Sequence, residues 1–295
     1  MNILDGRTLA ETIRGELTEQ VAEIVSKGGK VPHLAAVLVG EDPASQVYVR
    51  NKVRSCEKIG FKSTLIRKPA ETSEQELLEI VHNLNADKDI DGFIVQLPLP
   101  GHIDENRITL AIHPEKDVDG FHPVNFGRMA QGLPVYIPAT PNGILEMLRR
   151  YEIETSGREV VVVGRSNIVG MPMGILMALK AYPGNATVTI CHSRTRDLAA
   201  HTRRADILIA AIGRPNFITS DMLKDGVVVI DVGINRVEDA SATRGYRLVG
   251  DVDFEDAGSK ASWITPVPGG VGQLTVVSLL MNTLKANQKE VYSEV

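Results

Sequence analysis

The chain has 295 residues, 43% hydrophobic and 23% charged, so it can bury one large core or two ordinary ones and is neither a disordered nor a fibrous sequence. A formal net charge of −5 offers no basic face to nucleic acid or an anionic membrane, and no apolar run is long enough to span a bilayer. Two distant cysteines, Cys56 and Cys191, exclude a disulfide framework and a zinc ribbon; with a charged N-terminal segment unlike a signal peptide, they fit a cytoplasmic protein.

After the turn signal Asp5-Gly6, apolar residues at Leu9, Ile13, Leu17, Val21, Ile24 and Val25 predict a helix that stops at Gly28-Gly29. His33–Val39 reads as a buried strand, 44–59 as a helix capped by Gly60, and Phe61–Ile66 as a second strand. Thr72 and Gln75 read as a capping box opening a helix through Leu77, Leu78, Val81 and Leu84. Gly92–Leu97 is a third buried strand, broken by Pro98 and Pro100. The βαβαβ order with near-continuous apolar strands implies a parallel sheet covered on both faces.

Residues 114–141 are rich in Pro, Gly and Asp and aperiodic, which suggests a substrate-facing loop and a domain boundary near Pro138. A helix over Asn142–Tyr151 leads into a second unit. Its strands are expected at Glu159–Val163, Thr187–Cys191, Ile207–Ala211, Val227–Asp231 and Leu248–Gly250, again a doubly wound α/β pattern. A helical stripe over 271–286 closes the chain and is expected to return to the first unit. The division expected is therefore 1–138 plus the terminal helix 274–295 as one domain, and 139–273 as a Rossmann-like second.

The strand at 159–163 runs into Gly164-Arg165-Ser166-Asn167-Ile168-Val169-Gly170-Met171-Pro172-Met173-Gly174. This is neither G-x-G-x-x-G nor a Walker A loop, since Met171 stands where a lysine is needed. A strand, a glycine-bearing turn and a helix start still make an anion site from backbone N–H groups and the helix dipole. On its own the loop reads equally as an ordinary strand-to-helix turn. The next strand ends at Cys191-His192-Ser193-Arg194, where a dinucleotide fold carries an acid for a ribose 2′-hydroxyl or an arginine for a 2′-phosphate. With no acid there, Ser193, Arg194 and Arg165 favour NADP over NAD; otherwise the arginines are a solvated surface.

Ser45, Tyr48 and Lys52 share one helical face. A phenol and an amine one turn apart suit proton handling, although such pairs on exposed helices are usually unremarkable. The spacing is similar to the Tyr-x-x-x-Lys of short-chain dehydrogenases. Those proteins carry the pair after the glycine loop, whereas here it precedes the loop and lies in the other domain. Gln96 ends an apolar strand where open parallel sheets place ligands. Asp117-Val118-Asp119-Gly120 lacks a third ligand at metal spacing, so a carboxylate binding ring N–H groups is the simpler reading and no metal is expected.

Together these motifs resemble the bifunctional methylenetetrahydrofolate dehydrogenase/methenyltetrahydrofolate cyclohydrolase family. They run, in order, Tyr48-x-x-x-Lys52, Val95-Gln96-Leu97-Pro98-Leu99-Pro100, Pro114-Glu115-Lys116-Asp117-Val118-Asp119-Gly120, the Gly164–Pro172 loop, and Pro266-Val267-Pro268-Gly269-Gly270-Val271-Gly272. The resemblance implies two α/β domains with a cleft between them, NADP as cofactor, one-carbon derivatives of tetrahydrofolate as substrates, a homodimer, and a role in one-carbon supply to purine biosynthesis. It implies Lys52 as the catalytic residue, Gln96 as its hydrogen-bond partner and Tyr48 as the residue that stacks on the folate. Asp119 would bind the pterin-like ring, and Pro268, Gly270 and Gly272 would form a backbone wall against ligand. Gly164, Arg165, Ser166, Ile168, Ser193, Arg194 and Ile234 would hold the cofactor. The alternative is a dehydrogenase that lacks the cyclohydrolase step. One departure stands out: the family's Pro-Met-Thr after Gly272 is replaced by Gln273-Leu274-Thr275, which restores a backbone N–H.

The first reaction moves a hydride from a methylene carbon between two nitrogens, one of which stabilises the cation left behind, so the protein's task is alignment. The second opens that cation with water and needs proton transfers. A lysine at its reference pKa of about 10.4 is a poor base, but burial beside a cationic ligand disfavours the ammonium form.

Overall fold

The computed structural model describes residues 1–242 and 245–292. From the N-terminus the chain forms β1 (Asn2–Ile3), α1 (Gly6–Ser26), β2 (His33–Val39), α2 (Pro43–Ile59), β3 (Lys62–Lys68), α3 (Glu74–Ala86), β4 (Gly92–Val95), α4 (Glu105–Ala111), α5 (Pro123–Ala130) and α6 (Ala139–Arg150). It continues through β5 (Glu159–Val163), α7 (Gly170–Ala178), β6 (Thr187–Cys191), α8 (Leu198–Thr202), β7 (Ile207–Ala210), β8 (Val228–Asp231), β9 (Asn235–Glu238), β10 (Tyr246–Val249), α9 (Phe254–Ala257), β11 (Trp263–Ile264) and α10 (Leu274–Asn287). Two compact units result. One comprises Thr12–Ala139 and the chain from Val276 onward; the other comprises Met1–Glu11 and Thr140–Thr275.

The expected assignment of residues 1–138 to a single domain is corrected at its start. β1 pairs in parallel with β11, so residues 1–11 belong with the unit that carries the glycine loop. The last residues of the expected terminal segment, 293–295, lie outside the described residues.

The first unit is built on a parallel sheet of order β3-β2-β4. Every residue of β2, HLAAVLV, is buried, as a central parallel strand requires. Ala35, Val37 and Phe93 from the sheet and Leu77, Val81 and Ile108 from α3 and α4 form one core. α2 packs on β2 and β3 and has firm ends. The Asp42 carboxylate accepts from Ser45 N, Pro43 opens the helix, and Gly60 closes it at φ 83°. The expected Thr72/Gln75 box is corrected: the Thr72 hydroxyl donates to Pro69 O, and Ser73 caps α3 by accepting from Glu76 N. Within the aperiodic stretch expected to be loop lies α5, capped by the His122 ring and opened by Pro123. Its buried residues, Asn125 and Met129, include a polar one, so no apolar stripe announces it.

The second unit holds six strands in order β1-β11-β8-β7-β5-β6, all paired in parallel. Val161, Val163, Leu208, Ala210 and Val229 anchor its core. Strand order reverses at β5, between β6 on one side and β7 on the other, and open α/β sheets bind ligands outside the carboxyl ends of strands at such a point. The expected strand at Leu248–Gly250 is displaced to β10, which pairs antiparallel with β9 in a separate two-stranded ribbon. The closing helix begins as a 3₁₀ turn at Val271–Gln273 before α10.

Candidate active site

In α2 the residues Ser45, Val49, Cys56 and Ile59 are buried at steps of four, seven and three. Lys52 fills the missing place in that stripe, where an apolar residue belongs, and is half-buried. Its amine donates to Gln96 Oε1 at 3.2 Å. Gln96 lies just past β4, its own N–H continuing the ladder to Val37 O at 2.9 Å. The Gln96 amide group donates to Leu97 O at 2.7 Å, which leaves the carbonyl oxygen aimed at the lysine. Tyr48, one turn before Lys52, is 51% exposed.

The segment carrying the two aspartates runs beside β4: Phe93 N donates to Lys116 O at 3.0 Å, and Phe93 bridges Asp117. The two acids then diverge. Asp117 is buried; its Oδ2 accepts from His122 N at 2.7 Å and from Asn125 Nδ2 at 2.8 Å. Tyr292 Oη donates to Asn125 Oδ1 at 2.6 Å. Burial pushes the Asp117 carboxyl up to about 7 against the pull of those donors. Asp119 is half-exposed, lines a small cavity with Phe93, Val95 and Ile112, and receives no hydrogen bond from the described residues. Gly120 makes the turn behind it at φ 74°, where a Cβ would fall 2.5 Å from Tyr136 O. α10 braces the segment, Asn282 Nδ2 donating to Val118 O and Ile137 O, both at 2.8 Å.

In the second unit, Gly164 leaves β5 at φ 137°, and a Cβ there would lie 2.2 Å from Ala211 O. A Cβ on Gly170 would lie 2.3 Å from Gly164 O. The Ser166 hydroxyl accepts from Val169 N and Gly170 N, so it closes the loop onto the start of α7. Arg165, Ser166, Asn167 and Ile168 are exposed, as are Ser193 and Arg194 at the end of β6. The His192 ring accepts from Arg194 N at 3.1 Å and shapes that turn. Ile168, in the glycine loop, and Ile234, between β8 and β9, are 52% and 51% exposed. A Cβ on Gly272 would sit 3.0 Å from Ile234 Cδ1; Gly270 is buried and Pro268 exposed. A glycine cradle at a helix start, two exposed arginines and no acid at the end of β6 fit a dinucleotide bearing a 2′-phosphate.

Sequence reasoning passed over Asp231, Asp251 and Asn235, which tie the loops after β7 and β8 together; two acids at the ends of apolar runs were the available signal. Among the described residues no group of three or more His, Cys, Asp or Glu is placed to hold a metal ion, and no helix is long and apolar enough to cross a membrane.

Two family models match the chain: the catalytic domain of tetrahydrofolate dehydrogenase/cyclohydrolase over residues 4–119, and its NAD(P)-binding domain over 138–291. The chain is 59% identical over 292 residues to the bifunctional protein FolD of Bacteroides thetaiotaomicron, covering 99% of this chain and 100% of that protein. Among solved structures it resembles the bifunctional FolD methylenetetrahydrofolate dehydrogenase/cyclohydrolase of Campylobacter jejuni, with TM-score 0.92 and 45% identity over 98% of this chain and 99% of that one. It also resembles the Trypanosoma brucei dehydrogenase-cyclohydrolase complexed with NADP and an inhibitor, with TM-score 0.90 and 40% identity over 98% of each chain.

Proposed function

The chain belongs to the tetrahydrofolate dehydrogenase/cyclohydrolase family, and from that membership we propose that Lys52, oriented by Gln96, moves the protons of the second of its two reactions. The enzyme is bifunctional and uses NADP. It oxidises 5,10-methylenetetrahydrofolate to 5,10-methenyltetrahydrofolate and hydrolyses that cation to 10-formyltetrahydrofolate. No observation favours the monofunctional alternative.

The observation that carries the assignment is the lysine amine held 3.2 Å from the Gln96 carbonyl oxygen, in the buried stripe of α2. In the oxidation no base acts on carbon, because the adjacent nitrogen supports the cation. The protein has only to hold the folate flat and at about 3–3.5 Å from the hydride acceptor. Tyr48 offers its exposed ring for stacking, and the free carboxylate of Asp119 accepts from the pterin N–H groups. Bound NADP supplies the hydride acceptor. Gly164, Arg165, Ser166, Ile168, Ser193, Arg194 and Ile234 would hold it, the two arginines by charge-assisted hydrogen bonds to the 2′-phosphate and the isoleucines by apolar contact.

In the hydrolysis, water adds to the methenyl carbon as Lys52 takes one proton from it, and an uncharged carbinolamine forms. The C–N5 bond then breaks as the hydroxyl loses its proton to become the carbonyl, N5 takes a proton in exchange, and the formyl group stays on N10. One proton is released overall. Gln96 keeps its acceptor on the lysine through the cycle, so the amine stays aimed at the reacting carbon. Pro268, Gly270 and Gly272 act as a backbone wall. A homodimer and a cytoplasmic location belong to the same proposal on the family resemblance alone.

The deciding experiment is Lys52→Met, with methenyl formation and its decay followed separately by absorbance. Ring opening should fall by about 10²–10⁴-fold, the usual contribution of a positioned acid–base group. Retained ring opening with lost oxidation would contradict the assignment.

A further inference from the structure

Two carboxylates that the chemistry above does not use are buried at the carboxyl ends of the second unit's sheet. Asp231 ends β8 and Asp251 follows β10; they are 3% and 0% exposed. Asp251 gathers four donors. Its Oδ2 accepts from Ile212 N at 2.7 Å and Gly213 N at 2.9 Å. Its Oδ1 accepts from Arg214 N at 3.0 Å and Asn235 Nδ2 at 2.9 Å. Asp231 in turn fixes the backbone from which Asp251 projects, its Oδ1 accepting from Gly233 N and Asp251 N and its Oδ2 from Val252 N, all at 2.9 Å. Glycines make the approach possible: a Cβ on Gly233 would fall 2.3 Å from Asp251 Oδ1, and one on Gly250 1.8 Å from Asp231 Oδ2.

The four donors to Asp251 come from two segments, the loop 212–214 after β7 and the turn between β8 and β9, whose last member, Asn235, opens β9. The first begins beside the glycine loop, since Ala211 O is the atom that a Cβ on Gly164 would strike. In the second, Asn235 follows directly on Ile234. A carboxylate has about four acceptor positions, and here all four are taken by groups from these two segments. Packing alone does not call for buried charge, because apolar residues fill a core at lower desolvation cost. A fully used carboxylate fixes where two segments stand relative to each other, which apolar contact does loosely.

We propose that Asp251 is a positioning residue for the cofactor: it locks the 211–214 loop that backs Gly164 and the turn that presents Ile234. The inference rests on the assignment of Gly164 and Ile234 to the cofactor made above. It has a built-in control, because oxidation requires the cofactor and ring opening does not.

The test is Asp251→Asn in the full-length enzyme, with oxidation measured against NADP concentration, ring opening of methenyltetrahydrofolate measured without NADP, and NADP binding measured by calorimetry. The amide keeps the shape of the carboxylate but turns one oxygen into a donor, so two of the four N–H groups lose their acceptor. The KM and Kd for NADP should rise by at least about tenfold, the scale of a buried donor left unmatched, with ring opening within about twofold of wild type. Unchanged NADP affinity would overturn the proposal, and so would a parallel fall of both activities, which marks a merely structural role. Absence of saturable NADP binding in the wild type would overturn the cofactor assignment beneath it. Should Asp251→Asn fail to fold, Asn235→Ala removes one donor and leaves the carboxylate. A KM rise of about threefold with intact ring opening is then expected, on the scale of one net hydrogen bond, and no rise overturns the proposal.

Discussion

Asp117→Asn should change how the stability of the protein depends on pH. The Asp117 carboxyl is pushed from its ordinary 3.8 up to about 7, chiefly by burial, partly opposed by the donors Asn125 and His122 and reinforced by the like charge of Asp119. Between those two values the folded protein keeps a proton that the unfolded chain has released. The stability from this group is therefore complete below about pH 4 and is lost as pH rises through 7. About three pH units at 1.36 kcal/mol each make the loss about 4 kcal/mol. The His122 and Asn125 donors meet the same oxygen, Oδ2, so an amide oxygen can keep both of those bonds, while the Phe121 backbone N–H also donates to the carboxyl.

The assay is urea unfolding of wild type and variant in parallel from pH 4 to pH 8.5. The comparison matters because burial lowers the His122 pKa, and that group works in the other direction: its contribution grows as pH rises through its ordinary range. His122 is present in both proteins and drops out of the difference. The variant should gain on the wild type by about 4 kcal/mol across the range, most of it between pH 5 and pH 7.5. A difference that stays flat with pH would show that Asp117 does not carry a raised value, and the burial argument would fail.

How much of this was legible depends on which property encoded it. β2, β5 and β6 match their expected residues end to end because apolar or β-branched residues fill each of them, save for His33 and Glu159 at the starts of β2 and β5. β1 and β11 are two residues long and are defined by strands distant in the chain, β1 by β11 and β11 by β1 and β8, so no local pattern marks them. α5 was hidden by a buried asparagine whose role is to serve Asp117. Lys52 was legible as the partner of Tyr48, but its meeting with Gln96 spans 44 positions and depends on the end of β4 reaching α2. Residue pattern alone left Asp117 and Asp119 alike and only the resemblance singled out Asp119; folding separates the buried acid from the half-exposed one. The Asp251 knot escaped notice because three of its four donors are backbone N–H groups, which every sequence has.

Two further substitutions probe the backbone of the second unit. Gly164→Ala places a methyl group 2.2 Å from Ala211 O at φ 137°, against a backbone atom that cannot swing aside. Overpacking and strain together should cost about 2–5 kcal/mol in unfolding experiments, and a wild-type urea midpoint would refute the tight approach. Gln273→Pro restores the family's residue and should be nearly silent. It deletes the bond from Gln273 N to Gly270 O at 3.1 Å, a net loss of about 1 kcal/mol. Proline's fixed φ suits a residue in the turn that opens α10, and restricting the unfolded chain returns about 0.4–1 kcal/mol. Gly272, with no Cβ, removes most of the clash that proline imposes on the residue before it. The two effects offset each other, so stability should move by less than about 1 kcal/mol and both activities should persist. A loss of more than about 2 kcal/mol would mean that the Gly270 bond, rather than the turn's dihedral preference, holds the start of α10 in place.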